Sequence, residues 1–316
     1  VRLLSQLNDS TIQQFNKMIT HTALKGLGIA LITPFTDNDE VDYQALGRLI
    51  DYQVTNGVDY MVILGTTGET PTLSEEEKAE VTRFSIERIA GRVPVVLGVG
   101  GNNTAALVKR LKNDPLTGVD AILSVVPYYN KPSQEGIYQH YAAIAEASPV
   151  PVIMYNVPGR TGVNMTPELT IRLAKDFPEK LVAIKEASGN LAQMETIIKD
   201  KPADFLVISG DDGLAFPLIT LGGAGVISVI GNAFPREFGR MVRLTLAGDY
   251  DNARAIHHQF LDLFSLLFVD GNPAGVKSML NAMGYIENRL RLPLVPTRIT
   301  TYEKIRQVLD GLNIKC

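Results

Sequence analysis

The chain of 316 residues has little cysteine, little histidine and no excess of basic charge. Its one cysteine, Cys316, has no partner for an internal disulfide, which fits a reducing, cytoplasmic location. The four histidines do not stand at zinc-ligand spacing with cysteine or carboxylates, so we expect no metal site. With 30 basic and 34 acidic residues, the net charge of −4 gives no basic footprint for nucleic acid.

One segment without any charged residue raises the question of a membrane span. The segment from Gly213 to Pro235 is long enough to cross a bilayer. Its sequence LGGAG, however, indicates the end of a helix and a turn, so we predict a helix followed by a buried strand and no membrane contact. Residues 1–24 are polar and lack an apolar signal core, and they are predicted to form an N-terminal extension.

Short apolar runs rich in valine and isoleucine alternate along the chain with longer amphipathic segments. Such runs are typical of strands buried on both faces. Eight of them end at intervals of 21 to 33 residues: GIALITPF, YMVILG, PVVLGVG, AILSVVP, PVIMYN, LVAIKE, FLVISG and GVISVIG. A near-regular period of this length, with a strand and a helix in each unit, indicates a repeated βα architecture.

Eight βα units predict a (β/α)8 TIM barrel, an α/β fold. The alternative is an open doubly wound sheet, whose usual mark is a glycine-rich turn after the first strand. The first strand here ends ITPFTDND, which contains no glycine, so the barrel is favoured. We predict a catalytic barrel over residues 25–248. Residues 249–316 are predicted to form a C-terminal helical domain, because ARAIHHQFLDLFSLLF and TYEKIRQVLDGL have helical patterns.

Lys185 is the most informative candidate for catalysis. It follows the apolar residues Leu181–Ile184, so in a barrel its stem enters the mouth, where active sites of this fold lie. Burial disfavours a charged amine, and a neutral lysine amine attacks ketones to form a Schiff base. The alternative is an ion pair with a carboxylate such as Glu186, although adjacent side chains of a strand point to opposite faces. We therefore predict that Lys185 is catalytic.

Tyr155 ends the preceding strand in the chain. Neighbouring strands lie about 4.8 Å apart, so its hydroxyl is expected near Lys185 or its substrate. A phenol at that place can move protons while an imine forms and breaks. An aromatic side chain that only fills the barrel is an equally good interpretation of this position.

Two further places at the predicted barrel mouth suit carboxylate binding. Thr66 and Thr67 supply two hydroxyls beside Gly68, at a bend whose backbone N–H groups suit a small carboxylate. An ordinary polar turn fits that pattern as well. Arg160, on the loop after the fifth strand, can bind an acidic second substrate through two hydrogen bonds, although a solvated arginine is the commoner case.

Tyr128 and Tyr129 follow the fourth predicted strand. Two adjacent side chains cannot both face inward. Because tyrosines favour interfaces, we expect one to face the pocket and the other to meet a neighbouring subunit.

Six motifs stand in a fixed order between about Leu27 and Lys277: GTTGE, PYYNKPSQEG, YNVPGRTG, IKEASGN, SGDD and GVISV. Together they resemble the dihydrodipicolinate synthase (4-hydroxy-tetrahydrodipicolinate synthase) family of pyruvate-dependent class I aldolases. GTTGE and IKEASGN alone indicate the wider superfamily. YNVPGRTG is the discriminating motif, because N-acetylneuraminate lyases generally lack an arginine at the position of Arg160.

The resemblance implies a lyase that condenses pyruvate with L-aspartate 4-semialdehyde and cyclises the product, without a cofactor. This is the branch-point step toward diaminopimelate and lysine. Lys185 would form the imine, and the proton relay would consist of Tyr155, Thr67 and Tyr129. In this family the tyrosine at the position of Tyr129 crosses a dimer interface, and the enzyme is commonly a tetramer built as a dimer of tight dimers.

The resemblance also implies a set of substrate-binding positions. Thr66 and Thr67 would bind the pyruvate carboxylate, and Arg160 would bind the carboxylate of the semialdehyde. Gly210 and Ile227 would contribute backbone groups near the site.

One departure from the family concerns feedback by L-lysine. Inhibited members carry a pocket at the tight-dimer interface, which Asn102 and Tyr128 match. Lys78, however, stands where those members have histidine, and Ala106 where they have glutamate. An added cation and a lost anion both disfavour a cationic ligand, so we predict weak or absent inhibition.

Two other functions compete with the synthase. One keeps the Schiff base but changes the aldehyde, as in an N-acetylneuraminate or 2-keto-3-deoxy sugar-acid lyase. Arg160 argues against it, since a sugar needs neutral hydroxyl recognition. The other is a barrel that binds a 2-oxo acid for sensing, without turnover.

Overall fold

The computed structural model describes residues 23–312, and over this range eight parallel strands form a closed barrel. The strands are β1 (Gly26–Ala30), β2 (Tyr60–Ile63), β3 (Val95–Gly98), β4 (Ala121–Val125), β5 (Val152–Asn156), β6 (Leu181–Glu186), β7 (Leu206–Ser209) and β8 (Gly225–Ser228). Each strand pairs with the next, and β8 closes the barrel against β1, with Ile227 opposite Gly28. The predicted TIM barrel is confirmed, and the doubly wound alternative is wrong.

Helices surround the strands and continue after the last of them. They are α1 (Tyr43–Thr55), α2 (Glu75–Ile89), α3 (Thr104–Asn113), α4 (Gln134–Ala147), α5 (Pro158–Thr161), α6 (Pro167–Asp176), α7 (Leu191–Asp200), α8 (Asp212–Thr220), α9 (Pro235–Leu246), α10 (Tyr250–Gln259), α11 (Leu261–Leu266), α12 (Ala274–Ala282) and α13 (Ile299–Gly311). The last four confirm the predicted C-terminal helices. The domain boundary at residue 248 stays a prediction, and residues 1–22 of the predicted extension and Cys316 lie outside the described residues.

The charge-poor segment that raised the membrane question divides as predicted into a helix, α8, and a buried strand, β8. A turn through Gly222 and Gly223 separates them; Gly222 has a φ of +103°, which favours glycine. Among residues 23–312, no helix is both long enough and apolar enough to cross a membrane.

The barrel separates two apolar cores, one inside the strands and one between strands and helices. Along β5, Ile153 and Tyr155 belong to the inner core, whereas Met154 belongs to the outer one. On β6, Ala183 lies inside and Ile184 outside. Because side chains alternate along a strand, the next side chain, that of Lys185, points into the barrel. The strand pattern itself therefore directs the amine into the barrel.

Candidate active site

Lys185 lies inside the barrel, at the carboxyl end of β6. It stands in register with Tyr155 of β5 and Ile208 of β7, and it is only 5% exposed. Its Nζ lies 4.4 Å from the centroid of the Tyr155 ring, a separation at which an ammonium group is attracted to an aromatic face. Within residues 23–312, Lys185 forms no ion pair with a carboxylate. The structure thus brings together two of the residues predicted to perform the chemistry, Lys185 and Tyr155.

The carboxylate next to Lys185 in sequence points away from it. Glu186 accepts hydrogen bonds on the outer side of β6 from the amide of Asn156 (3.1 Å), the backbone N–H of Ser188 (2.7 Å) and the amide of Gln193 (3.1 Å). Burial raises the pKa of Glu186, while these hydrogen bonds stabilise its carboxylate and act in the opposite direction. The alternative ion pair between Lys185 and Glu186 is therefore not formed.

The two predicted backbone contributors, Gly210 and Ile227, lie at β7 and β8, the strands that follow β6. Gly210 comes directly after β7, and a Cβ built on it would lie 3.1 Å from Cε of Lys185 and 2.7 Å from Cβ of Ala187. Glycine at this position leaves room for the lysine stem. Ile227 is fully buried on β8 and belongs to the inner core.

The threonine pair lies on a tight turn after β2. Thr66, Thr67 and Gly68 form a single 3-10 turn, and Thr67 is buried. Leu64, two residues before the turn, and Glu69, directly after it, have left-handed backbones, with φ of +52° and +53°. Such backbone strain in residues other than glycine persists where the surrounding structure enforces it, often at functional sites. The turn is thus held in one shape.

A cavity of about 420 Å³ opens at this end of the barrel. Thr66, Tyr155 and Arg160 all line it, as does Tyr128. Arg160 is exposed on α5, at the rim of the cavity. The same cavity continues to Lys78, which forms an ion pair with Glu75 at 2.8 Å.

The structure does not bring Tyr129 to Lys185 within this chain. Tyr129 is 89% exposed and has a left-handed backbone, with a φ of +70°. Tyr128, which is 42% exposed, lines the cavity, and its backbone N–H donates to Oδ1 of Asn102 at 2.9 Å. The two tyrosines therefore point to different surroundings.

The sequence patterns missed two contacts that reach the site from the C-terminal helices. Asn272, just before α12, donates from Nδ2 to Oγ1 of Thr67 at 3.0 Å. Lys277, on α12, forms an ion pair with Glu69 at 2.5 Å, and both side chains are fully buried. A lysine inside the mostly apolar stretch AGVKSML was a signal that could have found the second contact.

Comparisons with known proteins agree with these features. The model of the dihydrodipicolinate synthetase family matches residues 23–312. The chain is 70% identical over 293 residues to 4-hydroxy-tetrahydrodipicolinate synthase of Parabacteroides distasonis, and the match covers 93% of this chain and 98% of the relative.

Solved structures give the same result. The chain resembles dihydrodipicolinate synthase from Aquifex aeolicus with a TM-score of 0.88 at 43% identity, covering 91% of this chain and 98% of that one. It also resembles the chloride-inhibited enzyme from Acinetobacter baumannii complexed with pyruvate, with a TM-score of 0.88, 38% identity and the same coverages, 91% and 98%. These findings confirm the predicted activity over a sugar-acid lyase. The chain belongs to the dihydrodipicolinate synthetase family.

Proposed function

We propose that this chain condenses pyruvate with L-aspartate 4-semialdehyde through an imine on Lys185, as a 4-hydroxy-tetrahydrodipicolinate synthase. The observation that carries the proposal is a buried amine at the carboxyl end of β6, which has a tyrosine ring beside it and no carboxylate partner within residues 23–312. Among residues 23–312 no carboxylate is paired with its Nζ, which leaves that atom available to attack a carbonyl carbon.

The proposed reaction begins when Lys185 Nζ attacks the keto carbon of pyruvate and water leaves, giving the imine. Loss of a methyl proton converts the imine into an enamine, whose carbon attacks the aldehyde of the second substrate. The amino group of that substrate then attacks the imine carbon, closes the ring and releases Lys185. Tyr155, with Thr67 and Tyr129, would carry the protons, since each step moves one.

Two carboxylates have to be held during these steps. Thr66 and Thr67 lie on the turn after β2 and would bind the carboxylate of pyruvate, with backbone groups near Gly210 and Ile227 completing the pocket. Arg160 at the rim would bind the carboxylate of the semialdehyde, because a guanidinium offers two parallel N–H donors. The proposal requires no metal and no cofactor.

The proposal includes a homo-oligomer, a tetramer made of two tight dimers, with Tyr129 entering the site of a second copy. Its support is the 89% exposure of Tyr129, which leaves the ring free to reach a neighbouring subunit. It also includes a cytoplasmic location, which the single cysteine favours. Sedimentation of the chain at several concentrations measures the assembly.

The test of the function is borohydride reduction in the presence of pyruvate, followed by mapping of the modified peptide, with condensation assayed in parallel. We expect one adduct on Lys185 and consumption of L-aspartate 4-semialdehyde. An unmodified Lys185 would contradict the proposed imine mechanism. A panel of sugar aldehydes tests the lyase alternative, and an adduct without consumption of any aldehyde would indicate the sensing barrel.

A further inference from the structure

A cluster of polar side chains lies on the outer side of the barrel, directly behind Lys185 and Tyr155. Asn156 follows Tyr155 on β5, and Glu186 follows Lys185 on β6. Asn156 and Glu186 stand in register with each other, and both are fully buried. Because side chains alternate along a strand, this outer pair faces away from the barrel interior. The same two strand ends therefore carry the proposed chemistry on one face and the polar cluster on the other.

Three donors converge on the carboxylate of Glu186. Nδ2 of Asn156 donates to Oε1 at 3.2 Å and to Oε2 at 3.1 Å. The backbone N–H of Ser188 donates to Oε1 at 2.7 Å, and Nε2 of Gln193 donates to Oε2 at 3.1 Å. An ionised carboxylate accepts on both oxygens, so it satisfies all three donors at once.

The two amides that donate to Glu186 are held in their orientation by further hydrogen bonds. Oδ1 of Asn156 accepts from the backbone N–H of Met165 at 3.0 Å. A backbone N–H only donates, so Asn156 has to present its Nδ2 to the carboxylate. Oε1 of Gln193 accepts from Nδ2 of Asn164 at 2.8 Å, which leaves Nε2 of Gln193 directed at Glu186. The cluster therefore demands an acceptor on both sides of position 186.

We infer that Glu186 is a positioning residue, which holds the ends of β5 and β6 so that the Lys185 amine and the Tyr155 phenol keep their relative placement. Nζ of Lys185 lies 4.4 Å from the centroid of the Tyr155 ring. Reacting side chains keep such a geometry when buried hydrogen bonds behind them hold their supports. The inference rests on the proposed function, in which Lys185 forms the imine and Tyr155 moves protons.

The first test changes a single atom of the cluster. Glu186→Gln keeps the shape of the side chain but turns one acceptor oxygen into an NH₂ group, which would face the donors of Asn156 or Gln193. We expect kcat to fall by about 10- to 100-fold, the cost of a small displacement of reacting groups. Borohydride trapping of pyruvate should slow in parallel, with the adduct still on Lys185. Activity within about twofold of the wild type would overturn the proposal.

A Tyr155→Phe background separates positioning from a general weakening of the fold. Without the phenol, its placement relative to the amine no longer affects the rate. Glu186→Gln should therefore cost less than about threefold in that background, because the two residues act through one contact. An equal loss in both backgrounds would assign the effect to the fold and overturn the positioning role. Denaturant unfolding establishes that each variant is folded under the conditions of the assay.

An exchange variant tests the match of donors and acceptors. Glu186→Gln combined with Gln193→Glu returns a carboxylate to the cluster from the opposite side. At position 193 it would accept from the new amide at position 186 and from Nδ2 of Asn164. We expect kcat to recover to within about threefold of the wild type. A folded exchange variant that stays about 10-fold or more below the wild type would overturn the proposal, also where the single variant does not fold.

Glu135→Gln is the matched control. Glu135 also accepts from a glutamine amide, that of Gln139 at 2.8 Å, but it is exposed on α4. We expect its replacement to leave kcat and trapping unchanged. If the wild type traps pyruvate and consumes the aldehyde, but Glu186→Gln behaves as Glu135→Gln does, the positioning role is wrong and the proposed function stands. If the wild type neither traps pyruvate nor condenses it, the proposed function fails, and the positioning role fails with it.

Discussion

Two buried lysines of this chain have opposite surroundings. Lys277 lies at the junction of barrel and C-terminal helices, where it is paired with Glu69 and lies 4.1 Å from the centroid of the Phe35 ring. Lys185 lies inside the barrel beside the Tyr155 ring and, within residues 23–312, has no carboxylate partner. Burial lowers the pKa of Lys277 to about 8, while Glu69 opposes that shift. The comparison teaches that burial alone does not decide how a lysine can act, because the two buried amines differ in whether a carboxylate is paired with them.

The largest effect is expected when the free amine is removed. Lys185→Ala should lower kcat by about 10⁶-fold, the order of magnitude lost when a covalent nucleophile is deleted. Its fold should persist, because the substitution leaves no buried carboxylate unpaired. Steady-state assays and borohydride trapping measure the activity, and Lys175→Ala, at an exposed position on α6, is the control. Residual turnover near the wild-type rate would show that Lys185 is not the nucleophile.

The next effect concerns the ring beside the amine. Tyr155→Phe keeps the packing of the inner core but removes the phenol, and kcat should fall by about 10²- to 10⁴-fold, as is usual for loss of a general acid or base. Trapping of pyruvate should become slow without moving from Lys185. The control is Tyr138→Phe, which removes a hydroxyl bonded to Asp176 at 2.9 Å outside the barrel. Equal rates in the two variants would reduce Tyr155 to a filler of the barrel.

Replacement of the paired lysine, Lys277, should lower the stability of the fold. Lys277→Met leaves Glu69 buried and unpaired, so the free energy of unfolding should fall by about 3–5 kcal/mol. Adding Glu69→Leu should recover most of this loss, since replacing both members of a buried pair is often neutral. Denaturant unfolding measures the stability, with Lys304→Met, at an exposed position on α13, as the control. A stable single variant would show that the pair is dispensable.

A third lysine gives the smallest expected effect. Lys78 lines the outer part of the cavity and is paired with Glu75. Added L-lysine should change the rate less than about twofold, because like charges placed together cost several kcal/mol. The double variant Lys78→His with Ala106→Glu should gain inhibition. Strong inhibition of the wild type in a steady-state assay would contradict the prediction.

The barrel and the position of its amine could be predicted because both follow from local patterns. Apolar runs gave the strands, and strand alternation placed Lys185 and Glu186 on opposite faces, as the structure has them. The contact between Asn272 and Thr67 could not be predicted in this way, because 205 positions separate the two residues in sequence. No periodicity extends across such a distance, and the turn that carries Asn272 belongs to neither a strand nor a helix pattern.

The strained turn after β2 has a consequence for engineering. Its shape is enforced partly from beyond the last strand, through Glu69 and Lys277, so the eight strands do not form an exchangeable module. A chimera that joined this barrel to a foreign tail would retain Lys185 and lose the partner of Glu69. Recombination between relatives should therefore succeed only when the threonine turn and α12 come from the same parent.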